Sequence, residues 1–151
     1  MIISNEHEFV FVHIPKCGGT SLRMLLSKYD SSGGNFTARV ERHPVLGELD
    51  FVHLPLDILK KHFENEYSAL CKYRSFSILR NPVERFPSSL EQWLKNTSKK
   101  HLLDLNEKEI VTLAARKLED LNRNPDPVTP SMIHFRKQVD FVFLDGIQII
   151  K

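Results

Sequence analysis

The 151-residue sequence predicts an α/β fold of three layers, with helices on both faces of a mostly parallel central sheet. Three observations predict it. Short runs of β-branched and aromatic residues recur along the chain, as in strands buried on both faces. Segments with helical leucine spacing lie between those runs, as crossovers between parallel strands require. A glycine-rich turn joins the first strand run to the first helical segment. The length corresponds to one domain, residues 1–151, large enough to bury its own core.

The elements follow in order. Glu8 to Ile14 reads E-F-V-F-V-H-I, a buried strand, and Pro15 to Gly19 breaks it. Thr20 to Tyr29 is helical, with Leu22, Leu25, Leu26 and Tyr29 on one face. Asp30 to Gly34 is a loop, and Asn35 to Glu48 is expected to be irregular. Leu49 to Leu54 reads as a second strand. Pro55 to Phe63 reads as a helix with proline in its first turn. Ser75 to Arg80 is the third strand. Pro82 to Leu94 is a helix carrying Val83, Phe86, Leu90 and Trp93 or Leu94 on its apolar face. A kink is expected at Pro87, which cannot donate to the Val83 carbonyl. Asn106 opens the next helix with Glu109 placed for a capping box. Its apolar stripe is Ile110, Leu113, Ala114, Leu118 and Leu121. Asn122 to Pro130 is a proline-rich loop. Val139 to Leu144 is a fourth strand, Asp145-Gly146 a turn, and Ile147 to Ile150 the start of a fifth strand.

Composition excludes several classes. Lys+Arg is 21 against Asp+Glu 19, a net charge of +2, so a strongly basic nucleic-acid binder is excluded. Any anion site must be local. Cys17 and Cys71 make neither a disulfide framework nor a zinc-ligand pattern, and no metal is expected. No secretory leader and no apolar run long enough to span a membrane is present, so a cytoplasmic location is expected.

Ligands of open α/β sheets sit beyond the carboxyl ends of the strands. Three places meet that condition. The first is the turn Lys16, Cys17, Gly18, Gly19, Thr20, Ser21. Such a turn presents backbone N–H groups at a helix N-terminus, where the helix dipole favours a phosphate or sulfate. Lys16 adds positive charge, and Thr20 and Ser21 add hydroxyls. The lysine precedes the glycines, so the ATPase pattern G-x-x-x-x-G-K-S/T is absent. The plain alternative is an ordinary strand–helix turn capped by Thr20. The second place is Arg80, leaving the third strand, with Ser88 two helical turns beyond. Arginine there can grip a phosphate bidentately, or simply pair with Glu84 at the surface. The third is His53, either a structural histidine or a general base. Cys17, close to a helix N-terminus, is expected to have a lowered thiol pKa.

Taken together, F-V-H-I-P-K-C-G-G-T-S-L and S-I-L-R-N-P-V-E-R-F-P-S-S resemble the paired motifs of carbohydrate sulfotransferases. The branch they resemble contains the heparan sulfate 2-O- and chondroitin sulfotransferases. The likeness runs from about Phe9 to Gly146. It implies a P-loop-like fold and an enzyme using 3′-phosphoadenosine 5′-phosphosulfate (PAPS) as sulfuryl donor, without a metal. It implies that residues Lys16 to Ser21 bind the 5′-phosphosulfate and that Arg80 and Ser88 bind the 3′-phosphate. Lys16 would neutralise the bridging oxygen, and His53 would take the proton of an acceptor hydroxyl on a glycan or similar molecule. Two residues depart from the usual pattern: Cys17 stands in place of threonine or another small residue, and Asn81 in place of aspartate. Acceptor contacts are expected in Gly33 to Gly47 and Lys95 to Leu105; Arg39, Arg42, Lys95, Lys99 and Lys100 are candidate cations for an anionic glycan, against the plainer reading of solvated surface charge. Relatives usually continue past the last strand, so the chain is expected to be C-terminally short. Two other readings stay open: a P-loop-type nucleotide kinase or hydrolase, and an inactive nucleotide-binding remnant.

Overall fold

The strand run of the N-terminal half forms the centre of a mixed α/β structure. The computed structural model describes residues 1–37 and 40–150. In chain order they form β1 (Ile2–Ser4), β2 (Phe9–Val12), α1 (Gly19–Leu26), β3 (Glu41–His43), β4 (Gly47–Leu49), α2 (Leu56–His62), α3 (Glu64–Lys72), β5 (Arg74–Ser77), α4 (Pro82–Ser98), α5 (Glu107–Arg123), β6 (Phe143–Leu144) and β7 (Ile147–Gln148). Short 3-10 turns cover Ser27–Tyr29, Leu102–Asp104, Ile133–Phe135 and Gln138–Phe141.

The main sheet has three strands in the order β1-β2-β5. β2 pairs with β5 in parallel, from Phe9 opposite Arg74 to Val12 opposite Ser77. β1 pairs with β2 antiparallel. The expected α/β class holds, but a mostly parallel central sheet is not seen among the described residues. One parallel pair and one antiparallel pair make up this sheet, and two separate hairpins, β3–β4 and β6–β7, account for the other strands.

Two expected strands differ for local reasons. The Leu49–Leu54 segment leaves the extended state after Leu49. Asp50 Oδ1 accepts from Val52 N–H at 3.1 Å, and the Asp50 carbonyl accepts from His53 N–H at 2.9 Å. That side-chain-closed turn competes with strand pairing. The Val139–Leu144 segment turns helical first. Asp140 bonds Arg136 Nε one turn back at 2.6 Å, and only Phe143–Leu144 remains extended. Positive φ at Asp145 and Gly146 then closes the hairpin to β7. Within the segment expected to be irregular, β3 and β4 form a hairpin. Arg39 lies outside the described residues. β1 and α3 were not expected; Phe63, at φ −137° and ψ 60°, separates α3 from α2.

The core gathers Val10, Val12 and Ile14 from β2 and its exit with Leu56 and Leu59 of α2, Leu70 of α3, and Phe141. Arg136 is buried among Asp57, Asp140 and the Asp126 carbonyl, which ties the segment around 133–141 to α2. Charge-assisted bonds of this kind offset the desolvation of a buried guanidinium. The in-register parallel pairing of β2 and β5 is what matters for function. It brings the chain exits after Val12 and Ser77 out side by side, and Ser77 Oγ–H bonds the Val12 carbonyl at 2.7 Å.

Candidate functional site

A cleft of about 480 Å³ opens beyond those two strand ends. It is lined by Lys16, Gly18 and Thr20 from the first turn, Arg80 and Ser88 from the second, and His53 from the Asp50 turn. Cys17, Gly19 and Ser21 do not line it; Cys17 and Gly19 are buried behind it, and Ser21 is exposed elsewhere.

The first turn is built around backbone in the left-handed region. Lys16 has φ 63° and Gly18 φ 81°. A lysine there is uncommon and costs about 1 kcal/mol. Its ammonium reaches across the cleft and donates to Gln92 Oε1 on α4 at 3.1 Å. Gly18 is the N-cap of α1, and no side chain caps that helix; no acidic residue stands in its first turn. Thr20 is therefore not the cap, and the first amides of α1 are open to an anion. Gly19 serves a different need. A Cβ there would lie 2.6 Å from His13 Cδ2, so the helix can start against the His13 ring only because the position is glycine.

Cys17 departs from expectation. Its Sγ–H lies 3.1 Å from Gln138 Oε1 and 3.6 Å from the Pro15 carbonyl. Burial pushes the thiol pKa up, and the neighbouring Arg85 and the Arg80 backbone offset only part of that. The lowered pKa expected for this thiol is therefore not found. Arg85 is buried as well and donates through Nε to the Pro15 carbonyl at 2.8 Å.

The second turn sits opposite. Asn81 caps α4 by accepting from Val83 N–H at 2.9 Å, so asparagine serves the helix start where the resembled motif has aspartate. Arg80 Nε meets Glu84 Oε2 at 3.5 Å, and both side chains are largely solvated. The surface pairing considered for this arginine does form. A solvated pair is worth about 1 kcal/mol or less, so a bidentate oxyanion would readily replace it. α4 runs as one helix through Pro87. Ser88, Gln92 and Asn96 recur every four residues along it and face the cleft together.

His53 is oriented by backbone. Its Nδ1 lies 2.8 Å from the His13 carbonyl. A carbonyl only accepts, so Nδ1 carries the proton and Nε2 keeps its lone pair. Burial, with the neighbouring His13 and His134 rings, holds its pKa well below the usual 6.5. The rings of His13 and His134 lie 4.6 and 5.7 Å from it, centre to centre.

Asp50, His134, Arg23, Gln92 and Asn96 also line the cleft, and sequence reasoning did not select them. The four-residue spacing from Ser88 through Gln92 to Asn96 was the available signal. Asp50, His53 and His134 bring potential ligand atoms within 4.8 Å of one another, an arrangement that could hold a metal ion. Chain separation hid it, since His134 arrives from the far end of the sequence. Of the expected acceptor cations, Lys95 pairs with Glu91 at 2.9 Å and Arg42 is exposed. No described helix is long and apolar enough to cross a membrane.

No curated protein and no solved structure matches the chain. A model of the sulfotransferase family does match, over residues 1–142. A match that covers nearly the whole chain shows that it belongs to the sulfotransferase family.

Proposed function

We propose that the protein transfers a sulfuryl group from PAPS to a hydroxyl of a carbohydrate-type acceptor. One observation carries the reading: the two turns and His53 line a single cleft, with the lysine and the helix N-terminus on one side and Arg80 and Ser88 on the other. A donor with anionic groups at both its 5′ and 3′ positions requires two such sites at once. The open amides at Gly18 to Thr20 suit the 5′-phosphosulfate, and Arg80 with Ser88 suits the 3′-phosphate. Cys17 and Gly19 contribute to the turn from behind: Cys17 by anchoring its backbone, Gly19 by admitting the helix start. Ser21 supplies at most its backbone amide.

The chemistry assigned to these residues is electrostatic and positional. His53 Nε2 accepts the proton of the acceptor hydroxyl as its oxygen bonds sulfur. The bond from sulfur to the bridging phosphate oxygen breaks in line, and Lys16 meets the charge left on that oxygen. Lys16 begins bonded to Gln92, so it would exchange that neutral acceptor for an anionic one. The resemblance to the heparan sulfate and chondroitin enzymes supports the carbohydrate acceptor, and the P-loop-like character rests on the same resemblance.

The test is calorimetry with adenosine 3′,5′-bisphosphate, the desulfated donor. Binding is expected, and Lys16→Ala and Arg80→Ala are each expected to weaken it about tenfold or more, the range for losing a charged hydrogen bond. Absence of binding, or binding indifferent to both variants, overturns the reading. Mg²⁺-dependent ATP turnover would favour a kinase or hydrolase instead.

A further inference from the structure

Gln138 belongs to neither turn, yet its side chain holds both. Arg80 N–H donates to Gln138 Oε1 at 2.9 Å, and Gln138 Nε2 donates to the Arg80 carbonyl at 2.8 Å. The amide thus grips Arg80 by both backbone groups, as a paired strand residue would. The same Oε1 accepts from Cys17 Sγ–H at 3.1 Å. One side chain therefore joins the turn after β2 to the turn after β5, at a point where the sheet hydrogen bonds have already ended at Val12 and Ser77. Gln138 is itself held by the 3-10 turn Gln138–Phe141, whose Phe141 is fully buried in the core.

Arg80 needs such support. Among the described residues its guanidinium pairs with the exposed Glu84 at 3.5 Å, a contact too weak to hold it in one place. Planar, two-bond recognition of a phosphate tolerates errors of only about half an ångström. The backbone clamp sets where the side chain starts, and it does so relative to the other anion turn. Resting on the reading of Arg80 as the 3′-phosphate ligand, we infer that Gln138 is a positioning residue that makes the site selective for 3′-phosphorylated adenine nucleotides. It touches no substrate; it acts through Arg80.

The experiment compares two ligands, adenosine 3′,5′-bisphosphate and adenosine 5′-monophosphate, by calorimetry on the full chain. The proteins are wild type, Arg80→Ala, Gln138→Ala, Gln138→Glu and the Arg80→Ala/Gln138→Ala double variant. Wild type is expected to prefer the bisphosphate, and Arg80→Ala to remove most of that preference. Gln138→Ala is expected to weaken bisphosphate binding about tenfold, the scale of one or two net hydrogen bonds, and to leave the monophosphate within about twofold. In the Arg80→Ala background, Gln138→Ala should cost nothing further, because the two act as one unit. Gln138→Glu keeps the acceptor for Arg80 N–H but loses the donor to its carbonyl. It should show the same selective loss, and it decides the matter if the alanine variant does not fold. Equal weakening for both ligands, or no weakening, overturns the inference while Arg80→Ala still behaves as expected. A wild type without preference, or an Arg80→Ala variant that keeps it, overturns the 3′-phosphate reading and the inference together.

Discussion

Gly18 and Gly19 are adjacent, and each is glycine for its own reason. Gly18 has open space where a Cβ would go but sits at φ 81°, so its requirement is purely conformational. Gly19 has ordinary backbone angles and no room, with His13 Cδ2 2.6 Å from its would-be Cβ. The two alanine variants should therefore fail differently. Gly18→Ala should lower stability by about 1 kcal/mol and otherwise preserve the site. Gly19→Ala must push on the His13 ring, whose own carbonyl holds His53 Nδ1 at 2.8 Å. Its imidazole resonances for His13 and His53 should shift, and turnover should fall more than stability does. Denaturant melts and histidine NMR spectra of both variants check this. Identical behaviour of the two would contradict the distinction. The pair G-G is plain in the sequence; which glycine serves conformation and which serves packing is not, because the second depends on a strand neighbour, His13, folded back against it.

At the scale of elements, the helices with strong local signals and the paired strands β2 and β5 were legible, while α3 and the fate of two other apolar runs were not. Asn106 and Glu109 close the expected capping box at 3.0 and 2.8 Å, and α5 begins where that signal lies. The apolar runs at Leu49–Leu54 and Val139–Leu144 have strand composition, yet Asp50 and Asp140 each divert the chain through one side-chain bond. A single such bond outweighs β-propensity in a segment without a neighbouring strand to pair with. A comparable carboxylate holds the far end of α4. Glu91 accepts from Leu102 N–H at 2.7 Å, from Lys95 Nζ at 2.9 Å and pairs with His101 Nδ1 at 2.9 Å. The Leu102 amide first, then Lys95, lowers its pKa from 4.5 to about 2. A depressed folded-state pKa means stabilisation that is complete above 4.5 and is lost as pH falls toward 2. Wild type should lose stability over that interval more steeply than Glu91→Gln, which has no charge to lose. Urea melts at pH 5 and pH 2.5 read the difference; parallel losses in both proteins would refute it. Solvent around the pair keeps the effect modest.

At the scale of the whole molecule, the turns after β2 and β5 open on one cleft because one parallel strand pair brings them together. The motifs around Lys16 and Arg80 were legible as separate segments some sixty residues apart, and their types pointed to anions. What no spacing could supply was their convergence, since that depends on β2 and β5 being neighbours in register. The partners that complete the cleft, Asp50, His134 and Gln92, come from a turn, a 3-10 segment and the next helical turn beyond Ser88, each placed by tertiary packing. A three-stranded sheet is a slender frame for such a site. The turns are joined beyond the strand ends by Arg85 to Pro15 and by the Gln138 amide, not by further strands. A nucleotide with a phosphate at each end bridging them should therefore stabilise the fold as a whole rather than one loop. At a hundredfold excess over Kd, a ligand bound only by the native state adds about 2.7 kcal/mol. For a chain of this size each kcal/mol raises Tm by about 2–4 °C, so a rise of about 5–11 °C is expected with adenosine 3′,5′-bisphosphate. Adenosine 2′,5′-bisphosphate, with equal charge but its second phosphate misplaced for Arg80, should give a markedly smaller rise at the same concentration. Equal rises with both would mean that the cleft collects negative charge without reading where it lies, and the two-turn account of its selectivity would fail.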